Sequence, residues 1–175
     1  EDEMTQSLSD KVIDRANVIY FGKPDRLKNQ KQQISSDTNW APITTENWQR
    51  WITEPDANTI SDFDNIDNLL NDINSTLYQL GRPFGWRTYK AMMTYISNHP
   101  SVSIEKQSGL QALSDQVAMR IMPKLRGLDI SENDDIFNQL RSQFELINDD
   151  TLDEAFSNAV DSKMGFFDWR GISWK

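Results

Sequence analysis

The chain has 175 residues, enough for one domain or slightly more, and with 37% hydrophobic and 10% aromatic residues it can build a packed core. It has no cysteine and one histidine, His99, which excludes a disulfide scaffold, a thiolate metal site and a cysteine nucleophile, and leaves little for any transition metal. The net charge of −9 is uneven: residues 129–161 hold ten acidic side chains against one basic, Arg141, whereas residues 81–127 hold seven basic groups against two acidic ones. That asymmetry argues against wrapping nucleic acid with the whole surface, so direct DNA binding by this segment is not expected. It permits an anionic ligand such as a nucleotide at the basic middle, although two ordinary solvated faces would read the same way.

In chain order, Ser7 to Ala16 is a short amphipathic stretch, and Val18-Ile19-Tyr20-Phe21, closed by Gly22 and Pro24, predicts a short buried strand. Residues 25–43 are polar and poor in pattern. Thr44 to Asn47 opens a short helix with Trp48, Trp51 and Ile52 on one face. The strongest signal starts at Ser61, where Phe63, Ile66, Leu70, Ile73, Leu77 and Leu80 recur at steps of three and four, behind a Ser-Asp-Phe-Asp cap. Further helices are predicted over 85–97, from Leu110 to Leu125 with Pro123 shortening or kinking the end, after a Ser131-Glu132-Asn133-Asp134 cap, and from Thr151. After Gly165 the aromatic tail and Gly171 suit a small terminal hairpin or extended segment. No internal repeat is present.

Several chemistries are missing. The seven glycines form no phosphate loop, and no hydrophobic run ends in paired acids that could hold Mg²⁺. Asp62 to Asp67 begins like a calcium loop but has Asp67 where glycine is needed and Ile73 at the closing position. Asn74-Ser75-Thr76 matches a glycosylation sequon within a predicted helix. Ser–His–Asp catalysis would have to use His99, which stands beside Pro100 at a helix end.

The segment Leu8-Ser9-Asp10-Lys11-Val12-Ile13-Asp14-Arg15-Ala16, leading into the strand-like 17–21, resembles the part of AAA+ ATPases that follows the sensor-1 strand. The resemblance implies that Arg15 is a catalytic arginine finger, acting in trans on a neighbouring subunit's γ-phosphate, where a guanidinium fork meets two oxygens at once. Read as a residue alone, Arg15 would equally complement its own helix end beside Asp14. Arg82-Pro83-Phe84-Gly85-Trp86-Arg87 opens a helix in the basic window and resembles a sensor-2 region, with Arg87 the first candidate for nucleotide binding and Arg82 the second. Ile121-Met122-Pro123-Lys124-Leu125-Arg126-Gly127 and the ending Lys163-Met164-Gly165-Phe166-Phe167-Asp168-Trp169 resemble the lid of McrB-like AAA+ proteins, the motors of modification-dependent restriction systems.

The resemblance covers about residues 1–24 and 81–175 and implies a mainly α fold. A helical bundle, the AAA+ lid, would follow a short helix–strand remnant of an α/β nucleotide-binding core, with a small C-terminal β-hairpin. Residues 1–24 would end the core, 25–60 would be a loop or insertion with a short helix, and 61–175 the lid with its aromatic tail. The phosphate loop and Mg²⁺-binding acids of such a motor would lie before Glu1. The chain is then expected to be the C-terminal part of an NTPase that is inactive alone and holds no cofactor by itself, with ATP or GTP and Mg²⁺ bound in the intact protein. Expected partners are neighbouring copies in a ring and a nuclease or effector subunit; no membrane is involved, because no apolar run nears the ~20 residues a spanning helix needs, and the expected location is cytoplasmic. The rival expectation is a stand-alone acidic helical interaction module, or a nucleic-acid mimic, without enzymatic activity.

Overall fold

The apolar stripe beginning at Phe63 forms the longest helix among the described residues. The computed structural model describes residues 10–13, 15–20, 44–51, 60–103 and 108–172. Helices occupy Asp10–Ile13 (α1), Thr45–Trp51 (α2), Phe63–Gln79 (α3), Trp86–Asn98 (α4), Pro100–Ser103 (α5) and Leu110–Gln116 (α6). They continue with Met122–Leu125 (α7), Asp134–Glu145 (α8) and Asp150–Val160 (α9). A π-helical segment, Val117–Ile121, joins α6 to α7, and a 3₁₀ turn, Ser131–Asn133, leads into α8. The fold is mainly helical. No described helix is long and apolar enough to cross a membrane.

The three- and four-residue spacing of α3 puts Ile66, Leu70, Ile73 and Leu77 on one fully buried face. That helix packs against α8, α8 against α9, and α4 against α6. Between α8, α9 and the C-terminal tail lies an aromatic cluster. Phe137 stacks on Phe167 with ring centres 5.5 Å apart, and Phe144 meets Phe156 edge-on at 5.0 Å. Each such buried ring or aliphatic chain contributes about 1.5–3 kcal/mol. Burial rather than propensity therefore holds these helices.

Several local expectations are corrected. Residues 17–20 belong to no strand, and among the described residues the only ladder contact is a single antiparallel bridge between Asp129 and Phe166. The tail forms no hairpin in its described part; it pairs instead with residues 127–130, Gly127 N–H donating to Phe167 O (3.0 Å), Phe167 N–H to Leu128 O (2.9 Å) and Ile130 N–H to Gly165 O (3.0 Å). Asp62 does not cap α3 with its side chain; its carboxylate accepts from Ser108 Oγ and from Gly109 N–H, fastening the start of α6. The acid at the α8 entry is Asp129, which accepts from Ser131 Oγ and Glu132 N–H. Trp48, predicted on one face with Trp51 and Ile52, is over half exposed, while Ile52 lies outside the described residues. So do Leu8 and Phe21, and with them parts of the expected first helix and strand.

Candidate functional site

Pro123 shapes the centre of the site. An α-helical bond to the carbonyl of Met119 would come from the N–H four residues on, and at that position proline has none. The helix opens into the π turn just before Pro123, and the Met119 carbonyl accepts instead from the N–H of Val18 at 2.9 Å. The 17–20 segment is thereby fastened to the π turn. Gly171 follows it on the other side: its φ is +82°, and a Cβ there would stand 2.7 Å from Tyr20 Cβ. Only glycine allows the tail to approach Tyr20 so closely.

Arg15 lies exposed in the turn after α1, its N–H bonded to Val12 O, and α1 packs against α7. Arg82 is half-buried in the connection between α3 and α4, with its N–H on Leu77 O at 2.9 Å. Arg87 is exposed in the first turn of α4. Lys124 of α7 reaches the carbonyl of Pro83 at 3.5 Å. The helix α7 is thus a neighbour both of α1, which precedes Arg15, and, through Lys124, of the connection that holds Arg82. Beside Arg87, the exposed indole of Trp86 stacks on Tyr89 at 5.2 Å.

The π turn, residues 18–20 and the tail enclose a cleft of about 270 Å³, lined by Val18, Tyr20, Tyr95, Asp115, Met119 and Trp169 among others. At its polar side Tyr95 donates its hydroxyl to Asp115 Oδ2 (2.9 Å), and His99 Nε2 stands 3.7 Å from the same oxygen. Burial first, then the bond to Asp115 and that carboxylate's charge, push the Tyr95 phenol up to about 12. His99 Nδ1 accepts from Ser101 N–H (3.3 Å) and lies 2.6 Å from Ser101 Oγ.

Serine, histidine and aspartate stand here in the order of a proton relay. The serine, however, lies two residues from the histidine in the first turn of α5, and the His99 carbonyl takes the first helical bond, from Val102 N–H. The arrangement is that of a helix start, with His99 as its cap. Trp169, 2% exposed, has its indole N–H buried and without a hydrogen-bond partner among the described residues.

Sequence reasoning did not reach Tyr95, Asp115 and Trp169 as a group, because they stand on three segments brought together only by the fold. One signal was available: Pro123 four residues after Met119 marks an open carbonyl inside a helix. Asn74 of the sequon serves structure, its Nδ2 donating to Phe84 O (3.1 Å) and its Oδ1 accepting from Phe84 N–H (2.8 Å).

Residues 36–164, well over half of the chain, match a family described as a domain of unknown function, DUF8727. The chain belongs to that family. No curated protein and no solved structure matches it. The DUF8727 match spans α2 to α9, so the helical body is the family's domain, while α1, the 17–20 segment and the end of the tail flank it.

Proposed function

We propose that this DUF8727 chain is the C-terminal part of a nucleotide-hydrolysing motor similar to the AAA+ subunits of modification-dependent restriction systems. In that reading it supplies an arginine finger and the lid over the nucleotide. One observation carries the reading: the segments bearing the resemblance, far apart in sequence, meet around α7. Residues 17–20 dock on the π turn through Val18, the 121–127 segment contains α7, and the 165–169 tail pairs with residues 127–130.

In the intact ring the exposed Arg15 would enter the neighbouring copy's site, and its fork would neutralise charge on the transferring γ-phosphate. Arg87, with Arg82 behind it, would touch the phosphates held by its own subunit and link them to movement of the helical body. The exposed Arg15 and Arg87 suit the phosphates of ATP or GTP. The acids that hold Mg²⁺ would belong to residues preceding Glu1. A nuclease or effector subunit would complete the assembly.

The test uses the protein that includes the residues upstream of Glu1. Arg15→Ala should lower kcat by roughly 10³-fold or more, the scale of an arginine finger, with nucleotide affinity nearly unchanged. Arg87→Ala should weaken nucleotide binding itself. Normal turnover in Arg15→Ala, or lost affinity with normal turnover per bound nucleotide, overturns the assignment.

A second reading, an acidic module that binds a basic protein partner, is favoured by one feature. Glu145, Asp149 and Asp150 gather around Asp153, and burial together with their charge pushes its carboxyl above the usual range. The coding sequence upstream of Glu1 separates the two readings: an in-frame phosphate loop supports the motor, and a start codon at that point supports the module.

A further inference from the structure

The cleft beside the π turn has no part in the proposed motor chemistry, and its lining is selective. Three aromatic residues, Tyr20, Tyr95 and Trp169, stand around it with Val18, Ala118 and Met119. Among the described residues, Asp115 is the one charged residue lining it. Both contacts of that carboxylate among the described residues, from Tyr95 Oη and His99 Nε2, fall on Oδ2 rather than Oδ1. A carboxylate set among aromatic faces is the surrounding that attracts an organic cation, since ring faces and the anion act with the same sign. The volume, about 270 Å³, is nearly twice the ~150 Å³ that holds a benzene ring. It suits a ring with a short arm.

The wall is also held by specific backbone features. A π turn forms one side, a feature that concentrates at functional positions. It exists here with Pro123 directly behind it, and Val18 and Gly171 hold the two other sides in place.

We propose that this cleft binds a small organic amine, an aryl-alkyl ammonium whose charged group pairs with Asp115 and whose apolar body lies among Tyr20, Tyr95 and Trp169. The proposal is independent of the motor reading and stands or falls on its own measurement.

The experiment is calorimetric titration of the 175-residue chain with phenethylamine, with the neutral phenethyl alcohol and with the anion hydrocinnamate. The amine should bind at least tenfold more tightly than the alcohol, and the anion should not bind. Asp115→Asn should remove that preference, leaving amine and alcohol equal, and Ala118→Phe should abolish binding of both by filling the cleft. Circular dichroism establishes that each variant is folded; should either fail, the wild-type series alone decides. Equal affinity for the three ligands, preference for the anion, no detectable binding of the amine, or full amine selectivity in folded Asp115→Asn overturns the proposal.

Discussion

The N–H of Val18 and the ring of Pro123 are two ends of one arrangement. Pro123 withholds a donor from the Met119 carbonyl, and Val18 supplies one at 2.9 Å. A helix defect and a docking point are the same object here. The π turn between α6 and α7 is therefore a consequence of one residue's chemistry.

Pro123→Ala restores a helical donor to Met119. The Val18 amide should lose its acceptor and exchange its hydrogen about fivefold faster or more, the equivalent of one net hydrogen bond of ~1 kcal/mol. Hydrogen exchange followed at Val18 checks this. Unchanged protection there would mean that residues 17–20 are held by side-chain packing alone.

Gly171→Ala and Gly127→Ala make an informative pair. Both glycines have positive φ, +82° and +79°, and each alanine should cost about 1–2 kcal/mol for that alone. Only at position 171 does the new Cβ also meet Tyr20, so Gly171→Ala should lose a further ~1–3 kcal/mol. Urea unfolding of the two variants measures the difference. Equal losses would show that the tail moves off Tyr20 without penalty.

Asp149 and Asp153 should respond oppositely to pH. Burial disfavours the Asp149 charge, but bonds from Ser114, Thr151 and Leu152 outweigh it and hold its carboxyl below the usual range. Its stabilisation is present above the ordinary carboxylate pKa of 3.8 and is lost as pH falls below that value. Asp149→Ala also removes the α9 cap, at about 1–2 kcal/mol near neutrality. Asp153, raised by burial and by its acidic neighbours, is a net penalty once ionised. Asp153→Asn should stabilise the protein at pH 7 and make no difference where the carboxyl is protonated. Denaturation curves at pH 7 and pH 3 read both effects.

Tyr95 and Tyr89 both have phenols pushed up to about 12, burial first and a carboxylate partner second, Asp115 for one and Asp67 for the other. Folding favours the neutral form, so this contribution is complete below pH 10 and lost as pH rises from 10 toward 12. Ultraviolet titration should show two tyrosines ionising late. In Asp115→Asn one of them should move back down.

The helical fold was legible because its signal is local. The stripe from Ile66 to Leu77 repeats at helical spacing, and the 110–125 segment reads as helical from its own apolar residues. The strand expected at 17–21 was misread because a row of β-favouring residues specifies an extended backbone without specifying what bonds to it. Among the described residues, its one partner is a helix carbonyl rather than a neighbouring strand. The hairpin expected at the tail had the same weakness, since Phe167 pairs with Leu128 across a gap that no local pattern encodes. Arg82 and Arg87 stood out as charges in a basic window and Arg15 through the resemblance of its segment, whereas the cleft did not. Tyr95, Asp115 and Trp169 are unremarked individually, and only the crossing of three segments makes them neighbours.

Arg141, the one basic residue in the acidic window, turns inward. Its guanidinium lies 5.7 Å from the centre of the Phe156 ring and donates to Ser157 Oγ at 2.6 Å, fastening α8 to α9. The charged side chains these helices and their entry turn leave exposed are carboxylates alone, at Glu132, Asp134, Asp135, Glu145, Asp150 and Glu154. Mobile counterions must therefore supply the compensation that a lysine or arginine would otherwise give. Raising ionic strength from millimolar to physiological levels shortens the Debye length to about 8 Å, and with it the reach of this repulsion. The α8–α9 corner should accordingly tighten in salt, the reverse of a surface held by ion pairs.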